Sequence, residues 1–146
     1  MENENYLSSA GCAYVNNHAD NNGGAIFTQA TCKFSADTST GTRIDNIFEG
    51  NYAGSAGGGI SVSGYSFMKN KRDYTTTLNS SVRVLGNSAN IGGGVAVSLP
   101  ENSAIDKDIA ITVDIVGAQI QGNYASNIGG GVYFANRCTK WNAKGD

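Results

Sequence analysis

Apolar and polar side chains alternate in short segments that recur along the chain. A period of two residues is typical of β-strands, because successive side chains of a strand point to opposite faces. One set of segments precedes an asparagine, and a second set follows a run of glycines. The positions predicted to face inward are Ile44, Asn46, Phe48, Ser80, Val82, Val84, Val116, Ala118 and Ile120 in the first set, and Ile60, Val62, Val95, Val97, Val132 and Phe134 in the second.

These segments belong to a repeat that covers almost the whole chain. Four asparagines lie 34, 36 and 36 residues apart, at Asn17, Asn51, Asn87 and Asn123. The apolar residues after the glycines keep nearly the same step, at Ile26, Ile60, Val95 and Val132. Two anchors that stay in step over four units indicate a repeat architecture.

Glycine runs inside the units exclude helical repeats of similar length, because each Gly costs a helix about 1 kcal/mol relative to Ala. Each unit is therefore predicted to hold a strand, an asparagine turn, a glycine-rich bend, a second strand and a variable excursion. The excursions are predicted at residues 31–43, 64–80 and 99–108, and residues 109–113 are predicted to form a third strand.

A single unit of this kind cannot bury its own apolar face, whereas stacked units bury a continuous core between neighbours. The predicted fold is therefore all-β, a right-handed parallel β-helix of about four coils. Residues 1–146 form one domain in this prediction, as part of a longer solenoid or as a self-assembling subunit. Stacking would bring the four anchor asparagines into one column, where each side-chain amide can donate to one neighbour and accept from the other.

Composition narrows the functional classes. The chain has 40% hydrophobic and 15% charged residues, and its net charge is −2. This balance provides no basic surface for nucleic acid or an anionic membrane. No apolar run approaches the roughly 18 residues of a membrane span, so no membrane insertion by this segment is expected. The acidic, polar start of the chain does not resemble a signal peptide.

The repeat resembles that of the polymorphic outer-membrane proteins, chlamydial autotransporter adhesins whose repeats combine a GGA[ILV] motif with an FxxN motif. The first motif is present at residues 23–26 as Gly-Gly-Ala-Ile, and the second at residues 48–51 as Phe-Glu-Gly-Asn. Relaxed versions extend the similarity over about residues 14–135. The resemblance implies a β-helical passenger that acts in adhesion, with an extracellular or cell-surface location.

Catalytic and metal chemistry have weaker signals in this sequence. A polysaccharide lyase or hydrolase fragment, the enzymatic alternative, would need clustered carboxylates with a His or a basic residue nearby. His18 is the single histidine and is predicted on an outward position. A calcium site was considered at Asp106, Asp108 and Asp114, but no other coil adds acids to it. No catalytic residue, cofactor or metal is therefore predicted.

Two carboxylates, Asp45 and Glu49, are predicted on one exposed face, and no neighbouring coil offers a second carboxylate there.

Outward aromatic side chains are the better candidates for a binding surface. Rings supply contact area at low cost in conformational entropy, and they are enriched at interfaces. The predicted surface, for a protein or glycan partner at a cell surface, consists of Phe27 and Tyr133 in one column and Tyr52 and Tyr124 in another.

The cysteines suggest a third kind of partner, copies of the chain itself. Cys32 and Cys138 each lie six residues after an Ile/Val anchor, which predicts one column in which they are three coils apart, about 14 Å. A disulfide needs Cα atoms within roughly 7 Å, so the two cannot pair within one chain. Head-to-tail stacking into an extracellular filament would allow an intermolecular bond between them.

Overall fold

The computed structural model describes residues 6–63, 74–98, 111–135 and 140–144. These residues form 17 strands and no helix, and every strand pair is parallel. The strands lie in four sheets, and consecutive members of each sheet come from successive repeats. The predicted parallel β-helix is therefore confirmed.

The four sheets are named A to D. Sheet A contains β1 (Tyr6–Ala10), β5 (Thr31–Ser35), β9 (Tyr74–Asn79), β13 (Ile111–Val116) and β17 (Lys140–Lys144). Sheet B contains β2 (Ala13–Val15), β6 (Asn46–Glu49), β10 (Val82–Leu85) and β14 (Gln119–Gln121). Sheet C contains β3 (His18–Ala19), β7 (Tyr52–Ala56), β11 (Ser88–Ile91) and β15 (Tyr124–Ile128). Sheet D contains β4 (Ile26–Thr28), β8 (Ile60–Ser63), β12 (Val95–Ser98) and β16 (Val132–Phe134).

The chain visits sheets B, C, D and A in that order four times, which gives four coils. Coil 1 runs from β2 to β5, coil 2 from β6 to β9, coil 3 from β10 to β13, and coil 4 from β14 to β17. Strand β1 precedes coil 1 and pairs with β5, so sheet A has one strand more than the others.

Each coil holds more strands than the sequence pattern predicted. A short strand lies between the asparagine turn and the glycine bend, as in β7, whose Ala- and Gly-rich sequence has low β-propensity. The predicted excursion at 31–43 begins with β5, and that at 64–80 ends with β9. Both predicted excursions therefore contain a strand of sheet A, which the sequence pattern did not predict. The strand predicted at 109–113 is β13, which extends to Val116; residues 99–110 lie outside the described residues.

The core runs along the inside of the stack. Eight of the positions predicted to face inward are buried: Asn46, Phe48, Ile60, Val62, Val82, Val84, Val95 and Val97. Ile120 and Val132 are only half-buried. They belong to coil 4, where sheets B and D have a neighbouring strand on one side alone within the described structure.

The first inward position predicted before each of three asparagines was also wrong, because Ile44, Ser80 and Val116 are exposed. Ile44 precedes strand β6 and is held outside the core by an antiparallel bridge. In that bridge Ile44 and Asp37 exchange backbone hydrogen bonds of 2.8 and 2.9 Å. The inward alternation therefore starts at Asn46, where β6 begins.

An aromatic cluster lies in the core of the first two coils. The rings of Tyr14 and Phe48 stack on consecutive rungs with centroids 4.7 Å apart and an angle of 3° between their planes. Phe34 approaches Phe48 from sheet A in an edge-on arrangement at 5.7 Å. Both geometries are favourable for aromatic pairs, so the cluster joins sheets A and B across the core.

The glycine bends allow the coils to approach closely. Gly57 has a φ of 70°, a left-handed conformation that costs Gly little. A Cβ atom on Gly58 would overlap the carbonyl oxygens of Ser88 and Gly93 in the next coil. The bend also keeps its backbone paired, since Gly57 N–H donates to Ile91 O at 3.0 Å.

Candidate functional site

The four anchor asparagines lie in one column, at the corner between sheets B and C. The side-chain Nδ2 of Asn17 donates to Asn51 Oδ1 at 2.9 Å. Asn51 donates in the same way to Asn87 at 2.8 Å, and Asn87 to Asn123 at 3.0 Å. Each Oδ1 also accepts the backbone N–H of the asparagine one coil earlier, at 2.9 Å in all three cases.

The second proton of each side-chain amide points back toward the preceding coil. Asn87 Nδ2 donates to Phe48 O at 2.8 Å, and Asn51 Nδ2 donates to Tyr14 O at 2.9 Å. Asn51 and Asn87 thus use both amide protons and accept two hydrogen bonds at Oδ1, although both residues are fully buried. A buried amide with all its hydrogen bonds made has a structural role, and burial leaves it no access to a ligand.

The outward aromatic residues occupy two columns on different sheets. On sheet D, Phe27 and Tyr133 are separated by two rungs that carry Ser61 and Ala96. On sheet C, the column reads His18, Tyr52, Ser88 and Tyr124. The structure therefore does not join the four predicted aromatics into one continuous surface.

Exposure differs among these rings. Tyr52 is 43% exposed, Tyr124 is 64% exposed and Phe27 is also exposed, whereas Tyr133 is half-buried. The column on sheet C consequently offers the larger accessible aromatic area on a single face.

His18 lies on the outer face, as predicted. Its ring stacks on Tyr52 with centroids 4.7 Å apart and an interplanar angle of 28°. Its Nε2 atom is 3.5 Å from Asp20 Oδ1, and both side chains are largely exposed to solvent. An exposed pair of this kind contributes little to stability, and His18 acts here as the first ring of the sheet C column.

Asp45 has partners that the sequence did not predict. Its side chain is only 10% exposed, and it accepts hydrogen bonds from Arg43 Nε at 2.8 Å and from Arg83 Nε at 3.0 Å. The hydrogen bond from Arg43 is the largest cause that lowers the pKa of this carboxyl below its usual value. Burial acts in the opposite direction, and the hydrogen bond from Arg83 and the charges of both arginines lower the pKa further. Because Arg83 lies in coil 3, this cluster ties coils 2 and 3 together. Glu49 is exposed, as predicted.

The structure describes only one of the three aspartates that the calcium site would use. Asp114 lies half-buried on β13, whereas Asp106 and Asp108 lie outside the described residues. In the described ranges, no group of three or more His, Cys, Asp or Glu residues is placed to hold a metal ion.

Cys32 does not have the position that the disulfide hypothesis requires. It is 1% exposed, burial raises the pKa of its thiol, and its N–H donates to Thr76 Oγ1 at 3.1 Å. Strand β1 pairs with β5 on the side away from β9, and Leu7 is in register with Cys32.

The register of β9, β13 and β17 aligns Thr76 and Val113 with Trp141. Trp141 therefore occupies the column of Cys32, in place of Cys138, which lies outside the described residues. The assumption that Cys32 lies on an end rung was wrong.

A comparison with protein families finds a match to the Chlamydia polymorphic membrane protein repeat over residues 15–29. This segment contains the ladder residue Asn17 and the glycine bend at residues 23–24. The match covers two corners of coil 1 together with β3 and β4, and thus a small part of the chain. No significant match was found among curated proteins or among solved structures. None of the described residues belongs to a helix long and apolar enough to cross a membrane.

The ladder makes a prediction for stability. Replacing Asn87 by Ala should lower the free energy of unfolding by about 1–3 kcal/mol, because Asn51 and Phe48 lose buried hydrogen-bond partners. Asn87→Asp should cost at least as much, since a carboxylate cannot donate to Phe48 O. Asn90→Ala is the matched control, because Asn90 is exposed on the same strand. Denaturant unfolding measures all three, and equal stabilities for the Asn87 and Asn90 variants would contradict a structural ladder.

The Asp45 cluster makes a prediction for pH dependence. A depressed folded pKa stabilises the protein above the unfolded value of 3.8, and this contribution is lost as the pH falls through the folded pKa. Asp45→Asn should therefore reduce stability by up to about 1 kcal/mol at about pH 6, and by less at about pH 3. Glu49→Gln, on the same strand, should change stability little at either pH. A loss in Asp45→Asn that is the same at both pH values would contradict the ion-pair assignment.

Proposed function

We propose that this chain is a non-catalytic β-helical module that displays lateral surfaces for adhesion at a cell surface. The observation that carries the proposal is the match to the polymorphic membrane protein repeat over residues 15–29. The matched residues include the asparagine corner and the glycine bend, which the fold uses in every coil. An extracellular or cell-surface location follows from the same similarity and is part of the proposal.

The architecture supports display by the lateral faces. Residues that recur in every coil, such as Asn51 and Gly58, are occupied by contacts between coils. Side chains that differ from coil to coil, such as Tyr52 and Ser88 in one column, lie on the outward positions of sheet C. A solenoid that varies its outward positions can present different contacts without disturbing its core.

An enzymatic function has less support. Asp45, a carboxylate flanked by two basic side chains, is already engaged by Arg43 and Arg83. His18 has an exposed carboxylate neighbour and lies on a flat outer face. Neither arrangement places an acid and a base across a cleft, as glycoside cleavage requires.

A head-to-tail filament also has less support, because of sheet A. Strand β1 occupies the sheet A position directly before coil 1, and β17 occupies that position in coil 4. In a seamless stack of copies, β17 of one copy and β1 of the next would need the same place. One of these strands would have to leave its sheet before a continuous filament could form.

The adhesion proposal is tested with beads that carry the full chain and are presented to cultured animal cells. We expect saturable attachment that free protein competes away, and no release of reducing ends from a panel of polysaccharides. Beads coated with albumin serve as the control. Attachment no greater than that of albumin would contradict the adhesive function. Polysaccharide cleavage that is lost in Asp114→Asn would favour the enzymatic alternative instead.

A further inference from the structure

The outward column of sheet C contains a gap between two aromatic side chains. Tyr52, Ser88 and Tyr124 occupy consecutive rungs of this column. Neighbouring strands of a sheet lie about 4.8 Å apart, which places the two tyrosine rungs about 9.6 Å apart. The small side chain of Ser88 leaves the space between them open. This space is called the Tyr52–Tyr124 slot.

The slot has the width of one flat ring. A ring halfway between the two tyrosine rungs would lie about 4.8 Å from each, within the range of favourable ring contacts. The same column already contains such a contact, since His18 stacks on Tyr52 at 4.7 Å. His18 covers one face of Tyr52, and the other face of that ring borders the slot. A ligand ring in the slot would therefore extend the stack of His18 and Tyr52 with the same rung spacing.

The polar groups around the slot are neutral. Ser88, at its base, is partly accessible and has a hydroxyl that can donate one hydrogen bond and accept two. Asn90, the next outward residue of β11, is exposed, and its Oδ1 accepts a hydrogen bond of 3.0 Å from Ser126. The Nδ2 group of Asn90 can donate a hydrogen bond to a ligand. The slot thus combines two apolar walls with uncharged donors and acceptors along one edge.

We propose that the Tyr52–Tyr124 slot binds a pyranose ring of a glycan. A pyranose presents C–H groups on its two faces and hydroxyl groups around its edge, which matches aromatic walls and a base formed by Ser88 and Asn90. This proposal rests on the adhesive function proposed above and names the class of ligand that the surface recognises.

Two other flat groups fit less well. A phenyl or indole ring would fill the same space, but its edge would cover the hydroxyl of Ser88 without offering it an acceptor, and a polar group desolvated in this way costs free energy. A guanidinium group would stack between the tyrosines, but it also requires charged or multiple acceptors. The column of His18, Tyr52, Ser88 and Tyr124 contains no carboxylate, and Asp20 lies beside His18, two rungs from Ser88.

The test uses the full chain and soluble oligosaccharides built from glucose, galactose, mannose and N-acetylglucosamine. Saturation-transfer NMR should show contact between the protein and the ring protons of at least one of these sugars. Ser88→Tyr places a ring in the slot and should weaken binding at least tenfold without loss of the circular dichroism spectrum. Tyr124→Ala removes an exposed wall and should weaken binding similarly. Phe27→Ala, an exposed aromatic on sheet D, should leave binding unchanged.

The outcomes separate this proposal from the adhesive function. If no sugar of the panel binds, or if Ser88→Tyr and Tyr124→Ala bind as the unmodified chain does, the glycan slot is wrong. If beads that carry the Ser88→Tyr variant still attach to cells, adhesion uses another surface. The slot proposal alone would then be overturned. Binding of a tyrosine- or tryptophan-containing peptide in the slot, with no sugar bound, would overturn the assignment to glycans.

Discussion

The hydrogen bond between asparagine side chains of successive coils is the interaction on which the rest of the structure depends. At the corner between sheets B and C the backbone turns, and the N–H of Asn51 cannot pair with a strand. Asn87 Oδ1 in the next coil accepts that N–H at 2.9 Å, while Asn87 Nδ2 returns to Phe48 O at 2.8 Å. A buried corner without these bonds would leave several polar groups unpaired, at about 1–3 kcal/mol each. The side chain therefore completes the hydrogen bonding that the backbone cannot complete alone.

The same corner determines what the outer surface can present. Because the ladder holds successive coils in register, Tyr52, Ser88 and Tyr124 fall on consecutive rungs immediately after their asparagines. Behind them, Ala53 and Ala89 are buried, which leaves room for only a small side chain inside the corner. Outward positions are free to vary, and one small residue between two large rings creates a gap of defined width. Binding specificity in such a scaffold can change by substitution at one rung without any change in the core.

The coils and the asparagine column could be predicted from sequence because each coil uses the same residue for the same hydrogen bonds, which leaves a periodic trace. Sheet A leaves a weaker trace, since Cys32 and Phe34 of coil 1 correspond to Thr76 and Leu78 of coil 2. Its strands begin at different distances from the anchors, so counting residues from the anchors assigned Cys138, and not Trp141, to the column of Cys32. The Asp45 cluster was missed because Arg83 lies 38 residues away. Arg83 is, however, two positions from Asp45 once the repeats are aligned, and this alignment could have revealed it.

Hydrogen exchange of the backbone amides of the ladder asparagines tests the structural role of the ladder most directly. Asn51 and Asn87 N–H each donate to a side-chain Oδ1 of the next coil, whereas Asn123 N–H has no acceptor among the described residues. Exchange at the first two should require unfolding of the stack and should be slow, and exchange at Asn123 should be fast. Equally fast exchange at all three positions would contradict a ladder that holds the coils together.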